Sequence, residues 1–200
     1  MPFGAHETME VHEILNEKIN LINHLAMYMN SCQDPQLRNM IDRHLQTAME
    51  SYNQLVAYTH DYSAAQNMNQ AYGMPAVNPQ QVVYGLRNPS SVAPGTQGLF
   101  NDIQIASAVL CAHKNSAKNH IAASLEIADP NIRQMLINGA VICSNQAYEV
   151  FLFMNERGIY QVPRMNDDTA KTFLHTYQPV SQTQQPDAQR QGNAEQVHLN

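Results

Sequence analysis

Asp34-Pro35-Gln36-Leu37-Arg38-Asn39-Met40-Ile41 is answered, 95 positions further along the chain, by Asp129-Pro130-Asn131-Ile132-Arg133-Gln134-Met135-Leu136. Each octapeptide opens with a helix-start signal. The Asp side chain accepts hydrogen bonds from the free amides of the first turn, and Pro occupies the first helical position, where no backbone donor is needed. After the first, Leu37, Ile41, Leu45, Ala48, Tyr52, Leu55 and Tyr58 recur at helical spacing and predict a helix ending near Tyr62. After the second, Ile132, Leu136, Ala140, Cys143, Ala147, Val150, Phe151 and Met154 do the same, and Gly158 supplies a left-handed stop.

A helix also precedes each octapeptide. Val11, Ile14, Leu15, Leu21, Ile22, Leu25 and Met29 mark one from Thr8 to about Cys32, and Ile103, Ala106, Leu110, Ala117, Ile121 and Leu125 mark another from Asn101 or Asp102. These helices also match: Asn23-His24-Leu25-Ala26 with Asn119-His120-Ile121-Ala122, and Lys18 with Lys114, at a spacing to the Asp-Pro pair that differs by one residue. Each half is therefore predicted to be a helical hairpin. Two amphipathic hairpins hide their apolar faces by pairing, so the expected fold is all-α: an antiparallel four-helix bundle with a pseudo-two-fold axis.

Between the halves, residues 64–98 lose the periodic pattern, with Asn78-Pro79, Asn88-Pro89 and Pro94-Gly95 as breakers. A helix of about 25 residues is roughly 38 Å long, and 35 residues span that distance easily. One long crossover between two hairpins is the ferritin-like arrangement. The predicted organisation is thus a first hairpin in residues 1–63, a crossover in 64–98, a second hairpin in 99–177 and a Gln-rich tail in 178–200. The second hairpin includes a short C-terminal helix capped by Asp167-Asp168, and Ile159 to Pro163 reads as extended chain. The tail has almost no aliphatic content and is expected to be disordered.

Composition narrows the function. Charged residues are 14% of the chain, against roughly 25% in ordinary domains, so the surface is rich in amides. A net charge of -6 offers no basic face for phosphate, which argues against nucleic acid and anionic membranes as partners. No apolar run is long enough to span a bilayer, and the start, Met1-Pro2-Phe3-Gly4-Ala5-His6-Glu7, does not have the form of a signal peptide. Cys32, Cys111 and Cys143 lack zinc or disulfide spacing and read as reduced thiols.

A di-metal bundle would need a Glu-x-x-His motif on each of two helices. The one occurrence, Glu195-Gln196-Val197-His198, lies in the tail, while Glu50 and Glu149 are followed at the third place by Asn53 and Leu152. What remains is a stripe of metal candidates, Glu17 and His24 on the first helix with His113 and His120 on the third, able to meet across the bundle. Seven residues rise about 10.5 Å, so such a site would form two separate layers. The plainer reading makes these side chains a hydrogen-bonded polar layer at the edge of the apolar stripe, with Tyr28, Asn115 and Asn119. No nucleophile elbow or phosphate loop is present, so no catalytic residue, cofactor-binding residue or cofactor is assigned.

The third and fourth helices resemble the spore coat protein F (Coat F domain) family. The likeness rests on Asp102-Ile103-Gln104-Ile105-Ala106, Lys114, the turn Asp129-Pro130-Asn131-Ile132-Arg133, and the closing stretch from Phe151-Leu152-Phe153-Met154 through Asn155-Glu156-Arg157-Gly158-Ile159-Tyr160. The first half is similar to a diverged copy of the same unit through Asp34-Pro35 and Arg38. The resemblance implies a ferritin-like bundle in a structural, non-enzymatic protein. It would be made in the mother-cell cytoplasm of a sporulating bacterium and deposited on the spore coat, with other coat proteins as partners. A homo-oligomer formed by hairpin exchange is a further expectation, and a degenerate metal-binding or redox protein is the alternative.

Overall fold

The structure is a computed structural model that describes residues 4–61, 73, 79–89, 94, 98 and 100–180. Four long helices, α1 (Ala5–Ser31), α2 (Pro35–His60), α3 (Asp102–Leu125) and α4 (Pro130–Glu156), are followed by a short α5 (Asp167–Leu174). Among the described residues there is no strand, and no helix is long and apolar enough to cross a membrane.

Each helix begins where its cap dictates. Asp34 accepts from the amides of Gln36 and Leu37 at 2.8 and 3.0 Å, and Asp129 accepts from those of Asn131 and Ile132 at 2.8 and 3.1 Å. At α3 a reciprocal pair closes the first turn: Asn101 accepts from the Gln104 amide at 2.9 Å and Gln104 from the Asn101 amide at 3.0 Å. Gly158 ends α4 at φ +71°. The last described residue of α2 is His60, short of the expected Tyr62, which lies outside the described residues. The cap of α5 is Asn166, which accepts from the Asp168 amide at 2.9 Å, in place of the expected Asp167-Asp168 pair, whose first residue is already helical.

The helices of each hairpin pack most extensively on one another, α1 on α2 and α3 on α4. Across the seam α1 lies beside α3 and α2 beside α4. Hydrogen bonds at the two ends set the directions. The Asp102 carboxylate accepts from the Gln33 and Asp34 amides at 2.8 and 2.9 Å, so the α1–α2 turn meets the start of α3. At the opposite end Glu7 accepts from the Asp129 amide at 2.7 Å, and the Tyr58 hydroxyl donates to the Asp129 carboxylate at 2.9 Å. The pairs α1–α2, α3–α4, α1–α3 and α2–α4 are therefore antiparallel, and α2 and α3, which meet across the diagonal, run parallel. The end of α2 and the start of α3 lie at opposite ends of the bundle, about 39 Å apart for helices of this length.

The pseudo-two-fold holds at an offset of 95 residues throughout. Buried Val11, Ile14, Lys18, Leu21 and Leu25 of α1 correspond to buried Ala106, Val109, His113, Ser116 and His120 of α3. Glu7 corresponds to Asp102, and each clamps the other hairpin's turn. Arg38 and Arg133 also correspond: each donates to a carbonyl of its own turn, Cys32 O at 2.5 Å and Ser124 O at 2.6 Å. The upstream match of His24 with His120 and Lys18 with Lys114 is thus one residue out of register. A helix turns about 100° per residue, so that single step moves His24 off the core face, where it is partly buried, and leaves Lys114 exposed.

Apolar residues fill both ends of the interior. The larger cluster includes Leu25, Leu37, Ile41, Ile105, Val109, Val150 and Phe153, and a smaller one at the Asp129 end includes Val11, Ile14, Leu55, Ile132 and Leu136. Residues 79–89 dock where α4 ends, through Asn155. Its amide accepts from Val83 N at 2.8 Å and donates to Val83 O and Tyr160 O at 3.1 and 3.0 Å. Tyr84 makes a parallel bridge to Val162, and Arg87 donates to Asn155 O at 2.8 Å. The chain from residue 164 forms a separate unit, and no residue of α5 is buried. Residues 181–200, most of the predicted tail, lie outside the described residues.

Candidate functional site

Near the middle of the bundle the apolar stripe gives way to ionisable groups, and the sequence pattern shows why they face inward. His113 and His120 recur at i and i+7 on the α3 face that carries Ile105, Val109 and Ser116, and His44 lies between Ile41 and Leu45 on α2. His44, His113 and His120 are at most 1% exposed.

The first group is a chain of hydrogen bonds across the seam. Arg43 forms an ion pair with the Glu149 carboxylate, which also lies 3.0 Å from His44 Nε2; His44 Nδ1 lies 3.0 Å from His113 Nε2. The carboxylate only accepts, so His44 donates through Nε2 and accepts at Nδ1, and His113 donates to it through Nε2. His113 Nδ1 is left as a bare lone pair with no partner among the described residues. Burial lowers the pKa of His44, with Glu149 opposing the shift, and burial followed by the nearby His44 lowers that of His113 to about 3. Both rings are therefore neutral at pH 7.

The second group lies one layer toward the Asp129 end. Lys18, buried on α1, donates to Ser51 Oγ of α2 at 2.8 Å. Burial lowers its pKa, with Cys143 and Glu17 opposing the shift. Glu17 reaches across to α3, accepting from Ser116 and, at 2.8 Å, from Asn119 Nδ2. His120 donates through Nδ1 to the Ser116 carbonyl at 2.8 Å, leaving Nε2 as an acceptor without a partner among the described residues. Burial and Lys18 hold His120 at about 3, and burial raises the Cys143 thiol to about 11. Gly139 makes room for the His120 ring: a Cβ there would lie 2.5 Å from Cδ2.

The four sequence candidates thus do not converge. Glu17 bonds α3 between the two histidines, His113 pairs with His44, His120 bonds its own helix, and His24 stacks on Tyr28 with ring centroids 5.9 Å apart. His113 and His120 lie in the core rather than at the edge of the apolar stripe. Among the described residues no three His, Cys, Asp or Glu side chains are arranged to hold a metal ion. Sequence reasoning missed Lys18, His44 and Glu149 as partners. Their signal was a charged or titratable residue in register with the apolar face, as His44 is between Ile41 and Leu45.

These features define a two-hairpin helical bundle with a closed polar interior. The Coat F domain is matched over residues 101–163, from the α3 cap to the extended stretch that pairs with Tyr84. The chain is 31% identical over 189 residues to the spore coat protein F-like protein YhcQ of Bacillus subtilis strain 168, covering 93% of this chain and 85% of that one. It therefore belongs to the spore coat protein F family. The fold is also that of a candidate spore coat protein from Bacillus halodurans C-125, at a TM-score of 0.61 and 16% identity, over 84% of this chain and 98% of the other.

Proposed function

We propose that the protein is a structural component of the bacterial endospore coat, acting through protein–protein packing and not through catalysis. Family membership supports the coat assignment. The non-catalytic part is supported by one observation: the three imidazoles gathered at the middle of the bundle, His44, His113 and His120, are at most 1% exposed, where no substrate reaches them. A working base must come within hydrogen-bond reach of the proton it removes.

The surface suits packing. Apolar side chains are exposed on several elements, among them Leu86 beside the Asn155 clip, Leu125 at the end of α3, and Phe173 and Leu174 on α5. With few charges between them, such groups offer neighbours many weak contacts. In this reading the chain is made in the mother cell, assembles with other coat proteins on the forespore, and keeps the ferritin-like arrangement as a scaffold.

A fluorescent fusion followed through sporulation tests it. The expected result is a shell of fluorescence around the forespore that stays with purified spores after washing. Diffuse signal in the mother cell, or loss from washed spores, overturns the proposal.

A further inference from the structure

We infer that the two hairpins of one chain can part and re-pair with those of a second copy, so that copies join by exchanging hairpins. The inference rests on the packing role proposed above and names the partner as another molecule of this protein.

Three observations carry it. First, the seam is the weaker plane of the bundle, because each helix packs more extensively on its hairpin partner than on any helix of the other hairpin. Second, the seam is lined by matched polar pairs. Glu7 is placed on the Asp129 amide, Asp102 on the Gln33 and Asp34 amides, Arg157 on Gln36 at 2.9 Å, Arg43 with His44 on Glu149, and Glu17 on Asn119. A generic apolar surface would leave the buried members, Glu7 and His44, without their partners and offer none to the exposed ones. The complementary hairpin of another copy satisfies every one of them.

Third, the connection is long enough. Residues 79–89 stay with the second hairpin through Asn155, so an exchanging first hairpin is tethered by the chain from Asp61 to Val83. Those 22 peptide links reach roughly 75 Å when extended, about twice the 39 Å that the intramolecular arrangement requires. The surplus lets the first hairpin reach a neighbour's second hairpin. Reciprocal exchange closes a dimer, and one-way exchange propagates a chain of molecules.

The test uses full-length protein with Cys111→Ser, which removes the exposed thiol. Gln36→Cys is introduced in one preparation and Arg157→Cys in another, since these side chains meet across the seam. The two are mixed, taken through partial urea unfolding and back at rising concentration, and treated with a short bismaleimide. Exchange predicts a covalent heterodimer whose yield rises with concentration, while Q36C protein alone gives almost none. A Q36C/R157C double variant, cross-linked within one chain at low concentration, verifies that the seam has re-formed. Intramolecular cross-linking in that variant with no heterodimer from the mixture at any concentration overturns the inference. That result would leave a coat location untouched, because the fusion experiment reads location independently.

Discussion

Replacing a mid-helix glycine by alanine ordinarily stabilises a helix by up to about 1 kcal/mol, but Gly139→Ala should do the opposite. The added Cβ would lie 2.5 Å from Cδ2 and 2.9 Å from Nε2 of His120. The ring is 1% exposed and held through Nδ1 by the Ser116 carbonyl, so it has no free direction in which to move. Overpacking of this kind costs about 1–3 kcal/mol, and displacing the ring sacrifices a hydrogen bond worth about 1 kcal/mol. Offset by the helix gain, the net loss should be about 1–3 kcal/mol, a fall in Tm of roughly 2–12 °C for a chain of this size. The decisive comparison is in a His120→Ala background, where the obstacle is gone and the same substitution should stabilise by about 0.5–1 kcal/mol. Urea unfolding followed by circular dichroism gives all four corners of the cycle, with an expected coupling near 2 kcal/mol. A stabilising G139A single variant, or equal effects in both backgrounds, would refute the close approach of Gly139 to His120.

Acid should unfold the protein through its interior: His113 and His120 are held at about 3, chiefly by burial, against 6.5 when free. The unfolded state takes up their protons first, so their contribution to stability is full above about pH 6.5 and lost as pH falls toward 3. Each supplies a slope of at most about 1.4 kcal/mol per pH unit, or about 4 kcal/mol for the pair at pH 5, with His44 acting in the same direction; unfolding free energies that do not change between pH 7.5 and pH 5 would contradict this. Asn155→Leu strands the Val83 amide and carbonyl and the Tyr160 carbonyl, with a local loss of about 2–4 kcal/mol. Amide exchange at Val83 should accelerate while the cores of α1 to α4 stay protected, and uniform acceleration would show that the clip belongs to the global unit. Removing either Asp cap should cost about 1–2 kcal/mol. Asp129→Ala should cost more than Asp34→Ala in thermal melts, because Asp129 also accepts the Tyr58 hydroxyl, whereas the second contact of Asp34 is a partly exposed Arg157 at 3.4 Å.

The amino-acid sequence by itself determined the helices, their caps and the duplication. Asp34-Pro35 and Asp129-Pro130 satisfy first-turn amides through contacts two and three residues away, and apolar periodicity is a property of neighbouring turns. For that reason the all-helical two-hairpin bundle was legible from the chain alone. Which polar residues meet was decided by tertiary structure, because that depends on rotation about each helix axis and on partners about a hundred residues away. One residue of register turns His24 off the core face and brings Lys18 onto it, opposite Ser51. Glu149 reaches His44, 105 positions distant, only because α2 and α4 run antiparallel across the seam. Asn155 becomes the clip for Val83 only once the crossover lies against the end of α4. Interactions along a helix are written in spacing, whereas those across a seam exist only when four helices have fixed their rotations together.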